Sequence, residues 1–206
     1  MTARESLAQR WQRMSQIEEQ LRREGIELIA GVDEAGRGPL AGPVAAAAVI
    51  LPPDAWLPGL NDSKKLSEKQ RLELEPRIKE QAVAWNVTLI DHLTIDRINI
   101  LQATKLGMRQ AIAALSPAPS YLLVDGFELD GVDLPQQGLI KGDARSVSIA
   151  AASVLAKTAR DRLMLEYDAL YPGYGFARHK GYPTAEHKEA LRRLGPCPIH
   201  RLTFKY

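Results

Sequence analysis

Four carboxylates stand where apolar segments of this chain end. Asp33 and Glu34 end one apolar run, Asp125 ends a second, and Asp143 follows a third, short one. With no histidine or cysteine beside them in the sequence, the four acids make an oxygen donor set that suits Mg²⁺ or Mn²⁺ rather than zinc. Two such ions, about 3.5–4 Å apart, can activate a water and stabilise the leaving oxygen of a phosphodiester. Each acid alone is more often a turn former or a helix cap, so both interpretations stay open at this point.

The acids can form one site only if their strands end at one edge of a single sheet. The ends of strands in an α/β sheet provide such an edge. Asp33 and Glu34 are neighbours, and on a regular strand neighbours face opposite sides. We therefore expect the strand to turn at Glu34, which the glycines just after it permit.

Apolar runs and turn signals predict the elements that would position these acids. Strands are expected over residues 26–33, 44–51, 83–90, 121–124 and 139–140, with 83–90 alternating like an edge strand. Helices are expected over residues 67–82, which opens with a capping box at Ser67 and Gln70, 94–115, broken near Asn99, 146–171 and 184–195. This order predicts an α/β fold with a mixed central sheet, flanking helices and a helical C-terminal layer.

The first residues carry no evident chemistry. Residues 5–24 have one apolar helix face and are expected to form a single polar helix that ends at Gly25. We accordingly divide the chain into an N-terminal helical extension, residues 1–24, and one domain, residues 25–206.

Composition excludes several classes of protein. The chain has 206 residues, of which 45% are hydrophobic and 25% charged, which is ordinary globular usage and excludes wholesale disorder, collagen and coiled coil. Its one cysteine, Cys197, excludes a disulfide framework and a cysteine-cluster metal site. No apolar run reaches about 18 residues and no signal peptide is visible, so we expect a cytoplasmic protein without a membrane partner.

The net charge of +2 conceals an asymmetry. Residues 141–206 hold 12 Lys and Arg against 6 Asp and Glu, whereas the rest of the chain holds 15 against 19. A basic C-terminal third suggests an anionic partner, and a solvated helix face is the simpler alternative.

One segment is specific to a family. The stretch GVDEAGRGPLAGPV, residues 31–44, resembles the signature of ribonuclease HII, the prokaryotic type 2 ribonuclease H. Further matches follow in the family's order, at residues 61–67, 124–126, 141–143, 150–157, 179–182 and 198–201. The resemblance runs from about residue 26 to the C-terminus, and the N-terminal segment is too short for the substrate-binding domain of ribonuclease HIII.

The resemblance implies an RNase H-like fold and a metal-dependent endoribonuclease. Its implied activities are hydrolysis of the RNA strand of RNA–DNA hybrids and incision 5′ to single ribonucleotides in duplex DNA, leaving a 3′-hydroxyl and a 5′-phosphate. Asp33, Glu34, Asp125 and Asp143 fall on the family's catalytic carboxylates, which hold two Mg²⁺ or Mn²⁺ ions with substrate. Residues 25–206 would then be the catalytic domain.

The resemblance also implies substrate-binding residues. Gly36, Arg37 and Gly38 match the segment that reads the ribonucleotide, and glycine lets a backbone come close enough to bond a 2′-hydroxyl. Tyr182 resembles the tyrosine that stacks on the next deoxyribose, and Lys64 a lysine near the scissile phosphate.

The basic residues of the C-terminal third give weaker expectations. Candidate contacts to the nucleic-acid backbone are His179, Lys180, His200 and Arg201. The stretch with Lys157, Arg160 and Arg162 is more typical of a solvated face. His92 and His187 are expected at the surface, and no histidine is assigned to a metal.

The expected partners are RNA–DNA hybrids and duplex DNA with embedded ribonucleotides. No clamp-binding motif is visible, and a monomer is the default expectation. Two alternatives stay open: a catalytically silent hybrid-binding protein, and another metal-dependent phosphodiesterase.

Overall fold

A computed structural model describes residues 5–205, so residues 1–4 of the expected extension and Tyr206 lie outside the described residues. The strands are β1 (Ile29–Ala35), β2 (Val44–Ile50), β3 (Ala84–Ile90), β4 (Tyr121–Asp125) and β5 (Gln136–Leu139). The helices are α1 (Leu7–Met14), α2 (Gln16–Arg23), α3 (Glu68–Gln81), α4 (His92–Ile98), α5 (Ile100–Ala113), α6 (Val147–Leu170), α7 (Phe176–His179) and α8 (Ala185–Leu194). Two 3₁₀ turns cover Ser63–Lys65 and Gly142–Ala144.

The strands form one mixed sheet in the order β3-β2-β1-β4-β5. β1 runs antiparallel to β2 and parallel to β4, with Val32 paired to Val124. β5 runs parallel to β4, with Leu139 paired to Asp125. The carboxyl ends of β1, β4 and β5 therefore meet at one edge, as the positions of the acids predict, and β3 is the edge strand that its alternation predicts.

Helices cover both faces of the sheet, which explains why β2 is buried along its whole length. Ala45 and Ala47 face α6, while their neighbours Ala46 and Ala48 face α5. The backbone of α6 lies directly on β1, since a Cβ at Gly31 would be 2.0 Å from Ser148 C.

Local signals place α3, α4, α5, α6 and α8 close to where the sequence predicts them, whereas α7 lies in a segment expected to be loop. α3 begins with the capping box of Ser67 and Gln70. Asn99 separates α4 from α5 with φ +67° and caps α5 with its side chain. α7 and α8 build the expected helical C-terminal layer around the buried Phe176.

The N-terminal segment forms two helices instead of the single helix expected. α1 and α2 meet at Ser15, whose N–H donates to Trp11 O. The break lets Met14 enter the core beneath β2, where it is 1% exposed. A domain boundary at residue 25 stays a prediction. None of the helices within residues 5–205 is both long enough and apolar enough to cross a bilayer.

Candidate active site

The sheet edge brings the four predicted acids together. Asp33 lies on β1 one residue beyond the Val32–Val124 pair, and Asp125 is the residue that follows Val124 on β4. Asp143 lies in the 3₁₀ turn after β5. That turn is tied to β4 because Gly142 N–H donates to Asp125 Oδ1 at 2.7 Å.

Glu34 reaches the cluster in a way the sequence does not predict. The turn expected at Glu34 comes later, because β1 stays paired with β2 through Ala35. Pairing with β4, however, ends at Val32, which leaves the edge open beside Glu34. Burial raises the pKa of Glu34, with Arg37 opposing and Asp125 adding to the rise.

Asp33 is the most perturbed acid of the cluster. Its side chain is buried, at 2% exposure. Burial raises the pKa of Asp33 well above its usual range, and the charges of Glu34, Asp125 and Asp143 raise it further. Negative charge is therefore costly at this edge unless a cation balances it.

Asp62 is a member of the cluster that sequence reasoning did not select. Burial, followed by the charges of Asp62 and Asp125, raises the pKa of Asp143 to about 6, although Lys64 opposes this. Asp62 also accepts the Lys64 N–H at 2.8 Å and so caps the 3₁₀ turn before α3. Its place inside the matched stretch 61–67, two residues before Lys64, is the signal that could have identified it.

Lys64 brings a cation to the acids. Its Nζ lies 3.7 Å from Asp143 Oδ2, while the side chain is 74% exposed. Partial burial lowers the pKa of Lys64, but Asp33, Asp143 and Asp62 raise it more. The ammonium group thus stands between the acids and solvent, where a phosphate could approach.

The donor set fits a divalent cation in chemistry and charge. Asp33 Oδ2 is buried and has no hydrogen-bond partner among the described residues, which is an unfavourable state that a cation would relieve. Asp33 Oδ1 accepts the Glu34 N–H at 2.6 Å. Within residues 5–205 no three acidic, histidine or cysteine side chains already surround a common ion position. Ion binding therefore requires the side chains of these acids to move closer together.

Two buried arginines hold the glycine loop beside the acids. Arg201 Nη2 donates to Gly36 O at 2.7 Å, and its Nη1 donates to Arg37 O at 3.0 Å. Arg160 Nη2 donates to Ala41 O at 3.0 Å. Gly36 has φ +96°, and a Cβ there would be 2.1 Å from Arg160 Nε, so the packing itself demands glycine.

Gly38 is different from Gly36. It is exposed, its φ is not in the left-handed region, and a Cβ there would meet only Tyr182 Cε1 at 3.7 Å. Tyr182 is 39% exposed, and Arg37 beside it in the loop is exposed as well. The structure thus places Gly38 beside Tyr182 at the surface, and packing does not require glycine at position 38.

Several expectations for the basic residues are wrong. His179, Lys180, His200 and Arg201, expected to contact a nucleic-acid backbone, are all buried, at 8%, 8%, 3% and 1% exposure. Arg201 is turned inward because its guanidinium satisfies loop carbonyls, and Lys180 Nζ donates to Ala177 O at 2.6 Å.

Two further residues expected at the surface are also buried. Arg160 is fully buried against the carbonyls of Pro43, Lys180 and Ala41. His187 is fully buried too, with its Nε2 3.0 Å from His200 Nε2. Part of the basic charge of the C-terminal third therefore serves the fold.

Comparisons with known proteins agree with this fold. The family model for ribonuclease HII matches residues 30–206. A ribonuclease HII of Moorella thermoacetica is 57% identical over 189 residues, which cover 92% of each chain. Among solved structures, ribonuclease H2 from Pyrococcus horikoshii has a TM-score of 0.72 at 27% identity, covering 86% of this chain and 93% of the other.

A second solved structure is the PCNA:RNase HII complex from Archaeoglobus fulgidus. It has a TM-score of 0.74 at 25% identity, covering 87% of this chain and 96% of the other. The sheet is therefore that of the RNase H fold, as the resemblance implied. Together with the match over most of the chain, these relatives show that the protein is a hydrolytic endoribonuclease and that the chain belongs to the ribonuclease HII family.

Proposed function

We propose that the protein incises RNA–DNA hybrids and DNA duplexes with single embedded ribonucleotides, and that Asp33, Glu34, Asp125 and Asp143 are its catalytic carboxylates. The observation that carries the proposal is the buried Asp33 Oδ2, which has no hydrogen-bond partner among residues 5–205 and lies within a group of mutually repelling acids. A protein that only binds nucleic acid gains nothing from such a group, since it repels phosphates. This weighs against the silent hybrid-binding protein.

The four carboxylates are the residues that would hold divalent ions, Mg²⁺ or Mn²⁺ by their oxygen chemistry. When bound, these ions supply an activated water and stabilisation of the departing 3′-oxygen. Asp33 contributes a buried oxygen, Oδ2, to which no group in the described part of the chain donates a hydrogen bond. Asp143 contributes its carboxylate from the position after Gly142. Asp125 contributes its carboxylate from β4, where the Gly142 N–H sets its orientation.

Other residues of the chain bind and orient the substrate. Lys64, 3.7 Å from Asp143, is placed to contact the phosphate at the cleaved bond. The exposed Gly38 lets a ribose approach the loop backbone, where a 2′-hydroxyl distinguishes RNA from DNA. Tyr182 offers its exposed ring to the sugar that follows, and Arg37 offers a cation to the phosphate backbone.

The test is a DNA duplex with one internal ribonucleotide, incubated with the purified protein and Mn²⁺ or Mg²⁺. We expect one cut on the 5′ side of the ribonucleotide, with 3′-hydroxyl and 5′-phosphate ends. Asp33→Asn and Asp125→Asn should abolish cleavage and retain binding of the duplex. Folded protein that binds this duplex and leaves it intact would disprove the proposal.

A covalently closed circular duplex with one ribonucleotide separates the remaining alternative. An endonuclease nicks it, whereas an exonuclease that needs an end leaves it closed. Equal loss of cleavage and binding in Asp33→Asn would instead indicate that Asp33 has a structural role.

A further inference from the structure

Glu18 is a fully buried glutamate on helix α2. Its Oε1 accepts hydrogen bonds from Ser146 Oγ at 2.6 Å and from Ser148 N–H at 3.0 Å. A buried carboxylate is unfavourable unless it is well bonded, and apolar packing alone would not need one. Its position therefore calls for an explanation beyond anchoring the N-terminal helices.

The two serines stand at the start of α6, immediately after the turn that carries Asp143. Ser146 caps this helix, since its Oγ accepts the Ile149 N–H at 3.1 Å. The same serine donates its own N–H to Gly142 O at 2.8 Å. Glu18 therefore fixes the hydroxyl of the residue that closes the turn, and its charge suits the N-terminus of a helix.

The other side of the turn is fixed by the proposed site itself. Gly142 N–H donates to Asp125 Oδ1 at 2.7 Å. A continuous set of hydrogen bonds thus runs from Asp125 through Gly142 and Ser146 to Glu18, with Asp143 inside the turn it encloses. Arg13 of α1 adds a contact to the next residue, from its Nη1 to Ala144 O at 3.1 Å.

We propose that Glu18 is a positioning residue for Asp143, acting through Ser146 to hold the turn of residues 142–146 in place. This inference rests on the catalytic role proposed for Asp143. It assigns a function to the N-terminal helices, which orient one carboxylate of the site from outside it.

The hydrogen-bond acceptor of Glu18 is the feature that matters, so the conservative variant is Glu18→Gln. Glu18 Oε2 and Ser148 Oγ are both buried without partners among residues 5–205, and Ser148 is near enough to lower the pKa of Glu18, which burial raises. The amide nitrogen of glutamine would have an acceptor in Ser148 Oγ. Glu18→Ala removes every one of these contacts.

The experiment compares Glu18→Ala, Glu18→Gln and Ser146→Ala in the full chain with two controls. Glu19→Ala changes the exposed neighbour of Glu18. Ile112→Ala removes core packing of α5 on the opposite face of the sheet. It reproduces the loss of stability expected of Glu18→Ala, and Ile112 packs in a cluster that holds no residue of α6. The readouts are kcat and KM on a hybrid, the Mn²⁺ concentration for half-maximal rate, and hydrogen exchange of the amides of residues 142–148 in metal-free protein.

We expect Glu18→Ala to lower kcat by about 10–100-fold with KM changed less than about threefold, and to raise the Mn²⁺ requirement. Exchange over residues 142–146 should accelerate in Glu18→Ala and Ser146→Ala but not in Ile112→Ala. Glu18→Gln should retain activity within about threefold, and combining the two alanine changes should add little to either.

Three results would overturn the proposal. The first two are a Glu18→Ala variant with the same kcat as Glu19→Ala, and one whose loss of kcat is no greater than that of Ile112→Ala. The third is a Glu18→Gln variant with a kcat as low as that of Glu18→Ala. Asp143→Asn is assayed alongside. If Asp143→Asn stays active, the catalytic role proposed for Asp143 is wrong and so is the inference about Glu18. If Asp143→Asn is inactive and Glu18→Ala is unaffected, only the inference about Glu18 is wrong.

Discussion

Arg201 donates a hydrogen bond of 2.7 Å to the carbonyl of Gly36, a residue 165 positions earlier in the chain. The same guanidinium serves Arg37 O, Gly42 O and Pro43 O. The glycine loop is thus preorganised by a buried cation, whose pKa burial lowers to about 9.

Arg201→Met should therefore destabilise the protein far more than an ordinary surface change. It leaves buried carbonyls without donors, so we expect a loss of about 3 kcal/mol in the free energy of unfolding. Urea unfolding measures it, with Arg192→Met, an exposed arginine of α8, as the control expected to change by less than about 0.5 kcal/mol. Similar losses in the two variants would contradict this role of Arg201.

Two glycines of the loop should respond oppositely to alanine. Gly38→Ala should leave the melting temperature unchanged, because its Cβ meets only Tyr182 Cε1 at 3.7 Å, yet reduce cleavage at a single ribonucleotide at least tenfold by blocking the ribose. Gly36→Ala should unfold readily, since its Cβ would collide with Arg160. Calorimetry and the cleavage assay together test the pair, and a stable, fully active Gly38→Ala would refute the role given to Gly38.

Asp33→Asn should stabilise the metal-free protein while abolishing cleavage. The change removes a buried charge that Glu34 and Asp125 repel, so we expect a gain of about 1–2 kcal/mol. Added Mn²⁺ should raise the melting temperature of the parent and not of the variant. Asp133→Asn, at an exposed position, is the matched control. A destabilised Asp33→Asn would mean that the ionised acid supports the fold.

The buried histidines should make stability depend on pH. Burial lowers the pKa of His187 to about 4, below the unfolded value of about 6.5, so the unfolded chain binds the proton first. Stability is then lost as pH falls from about 6.5 towards 4, by about 3 kcal/mol from His187 alone. The free energy of unfolding of the parent and of His187→Gln, measured at pH 7, 5.5 and 4.5, isolates this contribution. If that free energy falls equally with pH in both proteins, His187 does not contribute.

Features set by neighbouring residues are predictable from this sequence, whereas burial decided by distant residues is not. The capping box at Ser67 and the break at Asn99 are written in neighbouring residues, and both are confirmed. Arg201 is expected to contact the nucleic-acid backbone and His187 to lie at the surface, and both expectations are wrong because both residues are buried. Their burial depends on carbonyls or rings far along the chain, which no local pattern shows. The burial of Glu18 is unpredictable for the same reason, since its partner Ser146 lies 128 positions later in the chain.

The burial of Arg160 and Arg201 also changes the expected electrostatics of substrate binding. Without the four clustered acids the net charge of the chain would be +6. These two arginines are buried, however, and cannot contact phosphates. The salt dependence should instead come from exposed cations at the site, Lys64 and Arg37.

Lys64→Ala and Arg37→Ala should each reduce the slope of log affinity against log salt by about one. Arg192→Ala, at an exposed position of α8, should leave the slope unchanged. Fluorescence anisotropy of a labelled hybrid with the Asp125→Asn background measures binding without cleavage. Because bound cations offset the acids, affinity in the Asp125→Asn background should also rise with Mg²⁺ at constant ionic strength. A slope that neither Lys64→Ala nor Arg37→Ala changes would place the phosphate contacts elsewhere on the protein.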